Sequence, residues 1–335
     1  MGYAELKYEV HYLDVKDADA IIIKYKAFDY CPWKIVLIDA GNVGDGEKIR
    51  KCIGKSDDNY YHIDYAFCTH PDKDHKGGFF ELLEDNRVVI NKLCLIDPSL
   101  YLNKEDFYFV NKDCDAKQKS RKPFSHPDDT SKNLIELADS KGILCPVKDG
   151  FLCKDVPVKV LGPSDGYYRE KVLDMVSRYA ELTDDSDTTK YDEKASVDEK
   201  DAKSVIDEDD DDSATNSTSL ILLFFPENSK FLFTGDANCA SLQSVINKYK
   251  QEIKGCKLKV PHHGSKHNLN TKIIDELKPS GAIISASGSR KHPSSGIVYW
   301  LSKYCNVYST HKTGSLFYSS EPVNNPAEPL KARML

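Results

Sequence analysis

The chain has 335 residues, 40% of them hydrophobic and 30% charged, with a formal net charge of −7. That length and composition support a full globular core, and no apolar run approaches the roughly 18–20 residues of a membrane span, so no membrane is expected among its partners. The start MGYAELKYEV lacks a basic-then-apolar leader, which makes the cytoplasm the expected location. Ten scattered cysteines without a CxxC pair argue for reduced, mostly buried thiols rather than a disulfide framework.

The negative total by itself disfavours a nucleic acid, whose binding rests on Lys and Arg, but its distribution changes that. Residues 181–215 hold 15 acids and 4 bases, a net −11, which leaves the other 300 residues at +4. A mildly basic body is compatible with a phosphate-bearing substrate. The acidic segment has few large apolar groups to offset its ordering entropy, so it is expected to be a disordered insertion, free to be solvated, to dock a basic partner protein or to cover the basic body.

In chain order, LKYEVHYLDVKDADAIIIKY predicts two strands joined by a polar turn, and WKIVLIDAG a third apolar run ending in Asp-Ala-Gly. A helix is expected around DGEKIRKCIG, a strand over YHIDYAFC, a helix over KGGFFELLED and a strand over VVINKLCLID. Residues 99–129, rich in Lys, Asp and aromatics without a clear period, read as an insertion. A helix capped by Thr130 or Ser131 and the strand VPVKVLGPS follow. Beyond the acidic segment, TSLILLFFPENSKFLFTGDA predicts a hairpin, then CASLQSVINKY a helix, CKLKVPHHGSKHN a strand ending in paired histidines, TKIIDELKP a helix, GAIISAS a strand, SSGIVYWLSKY a helix and NVYSTHKTGSLFY a final hairpin. Alternating strands and helices make an α/β fold, taken as a single domain over 1–335. The ligating residues all fall at strand ends, where such a scaffold presents chemistry on loops held by rigid elements.

The loop HPDKDH places His70, Asp72, Asp74 and His75 where a tight turn can aim them at one point. Such a set can surround one or two divalent cations, although a solvated turn has the same composition. Asp236 in FTGDA alone suits a turn or helix cap as well as a ligand. His262 and His263, followed by Gly264 and Ser265, suit metal together with phosphate or water, yet adjacent histidines also occur on ordinary surfaces. Asp39 ends LIDAG either as a carboxylate that orients a metal-bound imidazole or as a turn cap. Ser265, Lys266 and Asn268 are candidate phosphate contacts, and Lys73 and Lys76 flank the first loop. His292 and His311 follow the last two strands; His292 is the favoured proton donor to a leaving group, set against an ordinary core or surface role.

Taken together, LDV…DA at 13–20, LIDAG at 37–41, His-Pro-Asp-x-Asp-His-x-Gly-Gly at 70–78, Asn-x-x-Ser-Leu at 216–220, TGD at 234–236 and HHGS at 262–265 resemble the motifs of the metallo-β-lactamase superfamily. Within it, the likeness is to the ComEC-like hydrolase domain in its stand-alone soluble form, over most of the chain except 99–129 and the acidic segment. The resemblance implies a metallo-β-lactamase αββα four-layer sandwich with the site at one edge. It implies His70 and Asp72 at one divalent ion, Asp74 and His75 at a second, Asp236 bridging, and His262 or His263 completing the second site. The further histidine usual before the TGD hairpin is missing, with Asn216 nearby as a substrate-binding candidate. Carboxylate in place of imidazole favours Mn²⁺ over Zn²⁺, with Mg²⁺ also admissible. The implied activity is phosphodiester hydrolysis of DNA through a two-metal-activated hydroxide, with Asp74 and His292 as catalytic residues. The alternatives are hydrolysis of a cyclic nucleotide, lactone or thioester, or a vestigial-site scaffold for a partner protein. Lys16, Asp17 and Ala18 stand where a Gly-Gln-Gly turn is usual, so the first loop can differ in what it meets.

Overall fold

The computed structural model describes residues 6–103, 105–106, 116–179, 199–288 and 292–321. The first half runs β1 (Lys7–Tyr12), β2 (Ile21–Lys26), β3 (Lys34–Ile38), α1 (Gly46–Ile53), β4 (Tyr61–Ile63), β5 (Tyr65–Phe67), α2 (Lys73–Glu84), β6 (Val88–Ile90), β7 (Leu93–Leu95), α3 (Ala116–Arg121), α4 (Leu134–Ser140), β8 (Leu144–Pro146), β9 (Val158–Gly162) and α5 (Asp165–Tyr179). The second half runs α6 (Glu199–Ile206), α7 (Ala214–Ser217), β10 (Ile221–Phe224), β11 (Phe231–Phe233), α8 (Cys239–Ile253), β12 (Lys257–Lys259), α9 (Thr271–Leu277), β13 (Gly281–Ile284), α10 (Ser295–Ser302), β14 (Val307–Ser309), α11 (Thr310–Thr313) and β15 (Leu316–Ser319).

The strands sort into a seven-stranded sheet in the order β15-β1-β2-β3-β5-β7-β8, a six-stranded sheet in the order β14-β13-β12-β11-β10-β9, and the small pair β4-β6. Burial on both faces explains the continuous apolar runs. Ile21, Ile23 and Tyr25 of β2 join Val36, Ile38 and Phe67 in a core that also holds Val158, Leu222, Phe224, Phe231 and Phe233 of the other sheet. The alternate residues Ile22, Ile35, Leu37 and Ala66 meet Ile49, Phe79, Phe80 and Leu134 from α1, α2 and α4. On the far side, Leu223, Leu232, Leu258 and Ala282 meet Leu242, Ile274, Trp300 and Ile206 from α8, α9, α10 and α6. The result is a helix-sheet-sheet-helix stack, the αββα sandwich.

Topology explains why the ligating loops meet. β3 and β5 are parallel, as are β11, β12 and β13, so Asp39, the 69–75 loop, Asp236 and His262–His263 leave the C-terminal ends of their strands at one edge. β2 is antiparallel to β3 and β10 to β11; their N-terminal approaches bring Asp19 and Asn216 to the same edge.

Several expectations are corrected. The final hairpin is not one: β14 pairs with β13 in the second sheet, and after α11 the chain crosses to pair β15 with β1 in the first. The helix expected from Thr130 or Ser131 starts later, because Asn133 caps it by accepting from the N–H groups of Ile135 and Glu136. Of the insertion 99–129, residues 104 and 107–115 lie outside the described residues; α3 follows, and its buried Arg121 pairs with Asp97. The acidic insertion 181–215 lies outside the described residues over 181–198. From Glu199 it departs from the expected disorder. Ala202 and Ile206 of α6 are buried against α10, and two of the acids beyond accept hydrogen bonds at helix starts. Asp207 accepts from the N–H and hydroxyl of Thr271, and Asp210 from the N–H groups of Cys239 and Ala240. Burial of two apolar side chains and four hydrogen bonds to carboxylates outweigh the poor composition of the segment.

Candidate metal centre

The 69–75 loop is short because α2 begins at once, and α2 lies close to the 40–43 loop because it carries Gly77 and Gly78. A Cβ at Gly77 would lie 2.4 Å from the Val43 nitrogen, and one at Gly78 2.1 Å from the Ala40 oxygen. The approach lets the Ala40 N–H reach the His75 carbonyl at 2.8 Å. It also sets His75 Nδ1 2.8 Å from Asp39 Oδ2. The same Asp39 accepts from the N–H and hydroxyl of Thr69, so it orients the loop as well as the imidazole. Asp72 sits at the N-cap position of α2 but makes no capping hydrogen bond. Its carboxylate lies 3.6 Å from His70 Nε2 instead. Giving up an N-cap costs about 1 kcal/mol, a local loss that a ligand role accounts for.

Asp236 enters from the second sheet, with Oδ2 3.4 Å from His75 Nε2 and 3.9 Å from His70 Nε2. His263 closes the group, with Nε2 3.2 Å from Asp74 Oδ2 and Nδ1 2.9 Å from the Ser285 carbonyl. Asp74, His75, Asp236 and His263 each offer a donor atom within 4.8 Å of the others. Between the alternatives left open by the sequence, His263 therefore stands with Asp74 and His75. His262 lies outside that foursome and turns its Nδ1 to Asn268 Oδ1 at 3.0 Å. Asp39, His262 and His263 all have left-handed φ, at 56°, 45° and 53°, a conformation that costs non-glycine residues of order 1 kcal/mol or more and that clusters at functional sites.

The donor set fits a divalent metal. His70 Nε2, His75 Nε2 and Asp236 Oδ1 are buried without a hydrogen-bond partner; each such atom costs about 1–3 kcal/mol, and the two imidazole nitrogens face the same Asp236 Oδ2. The electrostatics agree. Burial alone would raise the carboxyl of Asp74, but His75 and His263 hold it well below the usual carboxylate range. Burial would likewise lower His262, yet Asp236 and Asp211 push it up to about 9. A pocket that attracts protons onto its imidazoles attracts a cation for the same reason, and a cation entering would displace those protons.

Other placements differ from expectation. Asn268 spends its amide protons on Asp211 and the Asp236 carbonyl, and the Asn216 amide donates to Asp211, so neither is arranged as a phosphate contact. Lys76 is fully buried with its ammonium on the Pro123 carbonyl; it fastens α2 to the inserted segment. Ser265 is buried and accepts from the His267 N–H at 3.3 Å, and Lys266 is half-buried beside it. His292 does reach the site, its ring 5.6 Å from that of His262 and 6.2 Å from that of His263. Burial and those two imidazoles push it down to about 4, so at neutral pH it is an uncharged imidazole rather than a ready proton donor.

Three residues escaped the sequence reading. Lys259, fully buried on β12, pairs with Asp19 and lies 3.9 Å from Asp236 Oδ1. A lysine inside the apolar strand CKLKV was the available signal, since an unpaired buried ammonium is not tolerated. Asp19, in the DA of the first motif, also lies 3.9 Å from His75 Nδ1. Asp211 gave no signal, being one acid among fifteen.

No family model matches the chain. Over 105 residues, 30% of the chain, the sequence is 32% identical to ComE operon protein 3 of Bacillus subtilis (strain 168), and it spans 13% of that protein. Igni18, a metallo hydrolase from the archaeon Ignicoccus hospitalis, is 10% identical with a TM-score of 0.45, over 93% of this chain and 98% of that one. The E377D mutant of CmlA β-hydroxylase is 12% identical with a TM-score of 0.43, over 93% and 53%. Two sheets packed between helices, with the ligating loops at one edge in the anticipated order, match the expected αββα architecture, and one stretch of the chain is similar to part of ComE operon protein 3.

Proposed function

We propose that the protein is a metal-dependent hydrolase and that its substrate is a phosphodiester, DNA in the first instance. The observation that carries the hydrolase reading is that the buried, unpartnered His70 Nε2 and His75 Nε2 both face Asp236 Oδ2, at 3.9 and 3.4 Å. Held by His70, Asp72, Asp74, His75, Asp236 and His263, divalent ions would supply Lewis-acid charge for a phosphoryl oxygen and lower the pKa of a water. The chain's own groups do the rest. Asp39 fixes the His75 ring by its Nδ1, Lys259 balances the carboxylates behind Asp236, and Gly77 and Gly78 keep the 69–75 loop pressed against its support. The DNA assignment draws on the resemblance to ComEC-like hydrolases and on the +4 charge outside the acidic segment. Anionic phosphate arriving beside His262 and His292 would draw the His292 pKa upward and make it a better acid than it is in the free protein.

Purified protein with Mn²⁺ should cleave single-stranded, double-stranded or plasmid DNA, and Asp74→Ala should abolish the cleavage. Hydrolysis of a cyclic nucleotide, lactone or thioester in place of DNA would keep the hydrolase and discard the nuclease. No turnover together with no Mn²⁺ or Zn²⁺ uptake would instead favour a scaffold.

A further inference from the structure

Asp211 belongs to no motif, yet its carboxylate joins two segments at the site, 213–216 and 262–268. Oδ1 accepts from the Ser213 N–H at 2.8 Å. Oδ2 accepts from Asn216 Nδ2 at 2.6 Å and from Asn268 Nδ2 at 2.8 Å, and lies 3.4 Å from His262 Nδ1. The segment is fastened on both flanks, by the Asp211 N–H to the His267 carbonyl and by Asn238 Nδ2 to the Asp211 carbonyl, both at 2.9 Å.

An ionised carboxylate only accepts, so each amide meeting it must present its NH₂ and turn its oxygen away. For Asn268 the choice is fixed twice, because the same Nδ2 donates to the Asp236 carbonyl at 3.0 Å; turned over, its oxygen would face two acceptors. Asn268 Oδ1 therefore faces His262 Nδ1 at 3.0 Å, nearer than Asn216 Nδ2 at 3.4 Å, and the shorter contact calls for a hydrogen on that nitrogen. The remaining acceptors of the trio are His262 Nε2, once it is free of a proton, and Asn216 Oδ1, which is buried without a partner.

We propose that Asp211 is a positioning residue: through Asn216 and Asn268 it confines the His262 hydrogen to Nδ1, so that His262 Nε2 and Asn216 Oδ1 are available to a divalent cation where the usual further histidine is missing. The cation rests on the metal-centre reading above; the hydrogen-bond polarity does not. A carboxylate behind an imidazole is the arrangement that also joins Asp39 to His75, and loss of such a partner typically weakens metal affinity 10–100-fold.

The test uses the full chain loaded with Zn²⁺, a diamagnetic ion, and histidine ¹H–¹⁵N spectra. His262 should carry its hydrogen on Nδ1 alone; a hydrogen on Nε2, alone or together with Nδ1, overturns the proposal from the wild-type spectrum without any variant. Asp211→Ala should redistribute that hydrogen and weaken Mn²⁺ binding by about 10–100-fold in calorimetry. Asp211→Asn, whose oxygen can still accept from both amides, should restore most of the affinity. Asp210→Ala, which removes the neighbouring helix cap and lowers the melting temperature, should leave both readouts at wild-type values. An Asp211→Ala protein with wild-type affinity, or an Asp210→Ala protein that loses as much, reduces Asp211 to a structural staple. Failure to cleave DNA would sink the nuclease reading and leave these readouts untouched.

Discussion

The two sides of the metal pocket are held by different means. On the first, His70, Asp72, Asp74 and His75 come from six consecutive residues, and their support is mainly backbone: an immediate helix, two glycines that allow contact with the 40–43 loop, and one carboxylate, Asp39, on the adjacent strand. On the second, Asp236, His262 and His263 come from two separated loops, with Asn216 and Asn268 beside them, and the support is buried charge from Lys259 and Asp211. A loop that carries its own ligands needs close approach, whereas ligands gathered from several loops need a central ion or hydrogen-bonding hub to fix them.

The strongest way to break this contrast is to remove the second-side residue that reaches the first, Asp236, whose Oδ2 faces His75 and His70. Asp236→Ala should lower Mn²⁺-dependent hydrolysis at least about 10³-fold, measured as steady-state turnover; a loss under tenfold would mean that the two sides do not act on a common centre. Lys259→Met removes the buried charge that supports the second side, leaving Asp19 buried without its partner and costing about 3–5 kcal/mol in denaturant unfolding. Adding Asp19→Asn should recover part of that loss, and full additivity of the two changes would deny the pairing. Asp39→Ala acts on the first side, and calorimetry should show Mn²⁺ affinity reduced about 10–100-fold with a smaller loss of stability than Lys259→Met. The smallest effect belongs to Asp207→Ala, which removes the carboxylate on Thr271 at the start of α9 and should cost about 1 kcal/mol in the same unfolding measurement.

How much was legible follows the same division. The first side lay open in the sequence because its ligands are contiguous and the β5–α2 junction is signalled by an apolar run followed by a helical pattern. β10 and β11 were legible as a hairpin because Pro-Glu-Asn-Ser marks the turn. β14 and β15 were misread because a short polar link between two strands looks the same whether the chain turns back or crosses to another sheet. Composition also misjudged residues 199–211. Acid content argues for disorder only when the acids stay solvated, and the carboxylates at two helix starts, Asp207 at α9 and Asp210 at α8, with Asp211 on the Ser213 turn before α7, are tertiary facts with no local trace. The choice of His263 over His262 likewise depended on backbone torsion that adjacent identical residues do not disclose.

The left-handed backbone at Asp39, His262 and His263 has an evolutionary corollary. Each position would relax if glycine replaced it, at about 1 kcal/mol or more of relief. A laboratory lineage selected only for heat tolerance would therefore be drawn toward glycine at these three places and would lose groups that hold or orient the metal pocket as it became hardier. An aspartate and two histidines held in so unfavourable a shape trade durability for the pocket they serve.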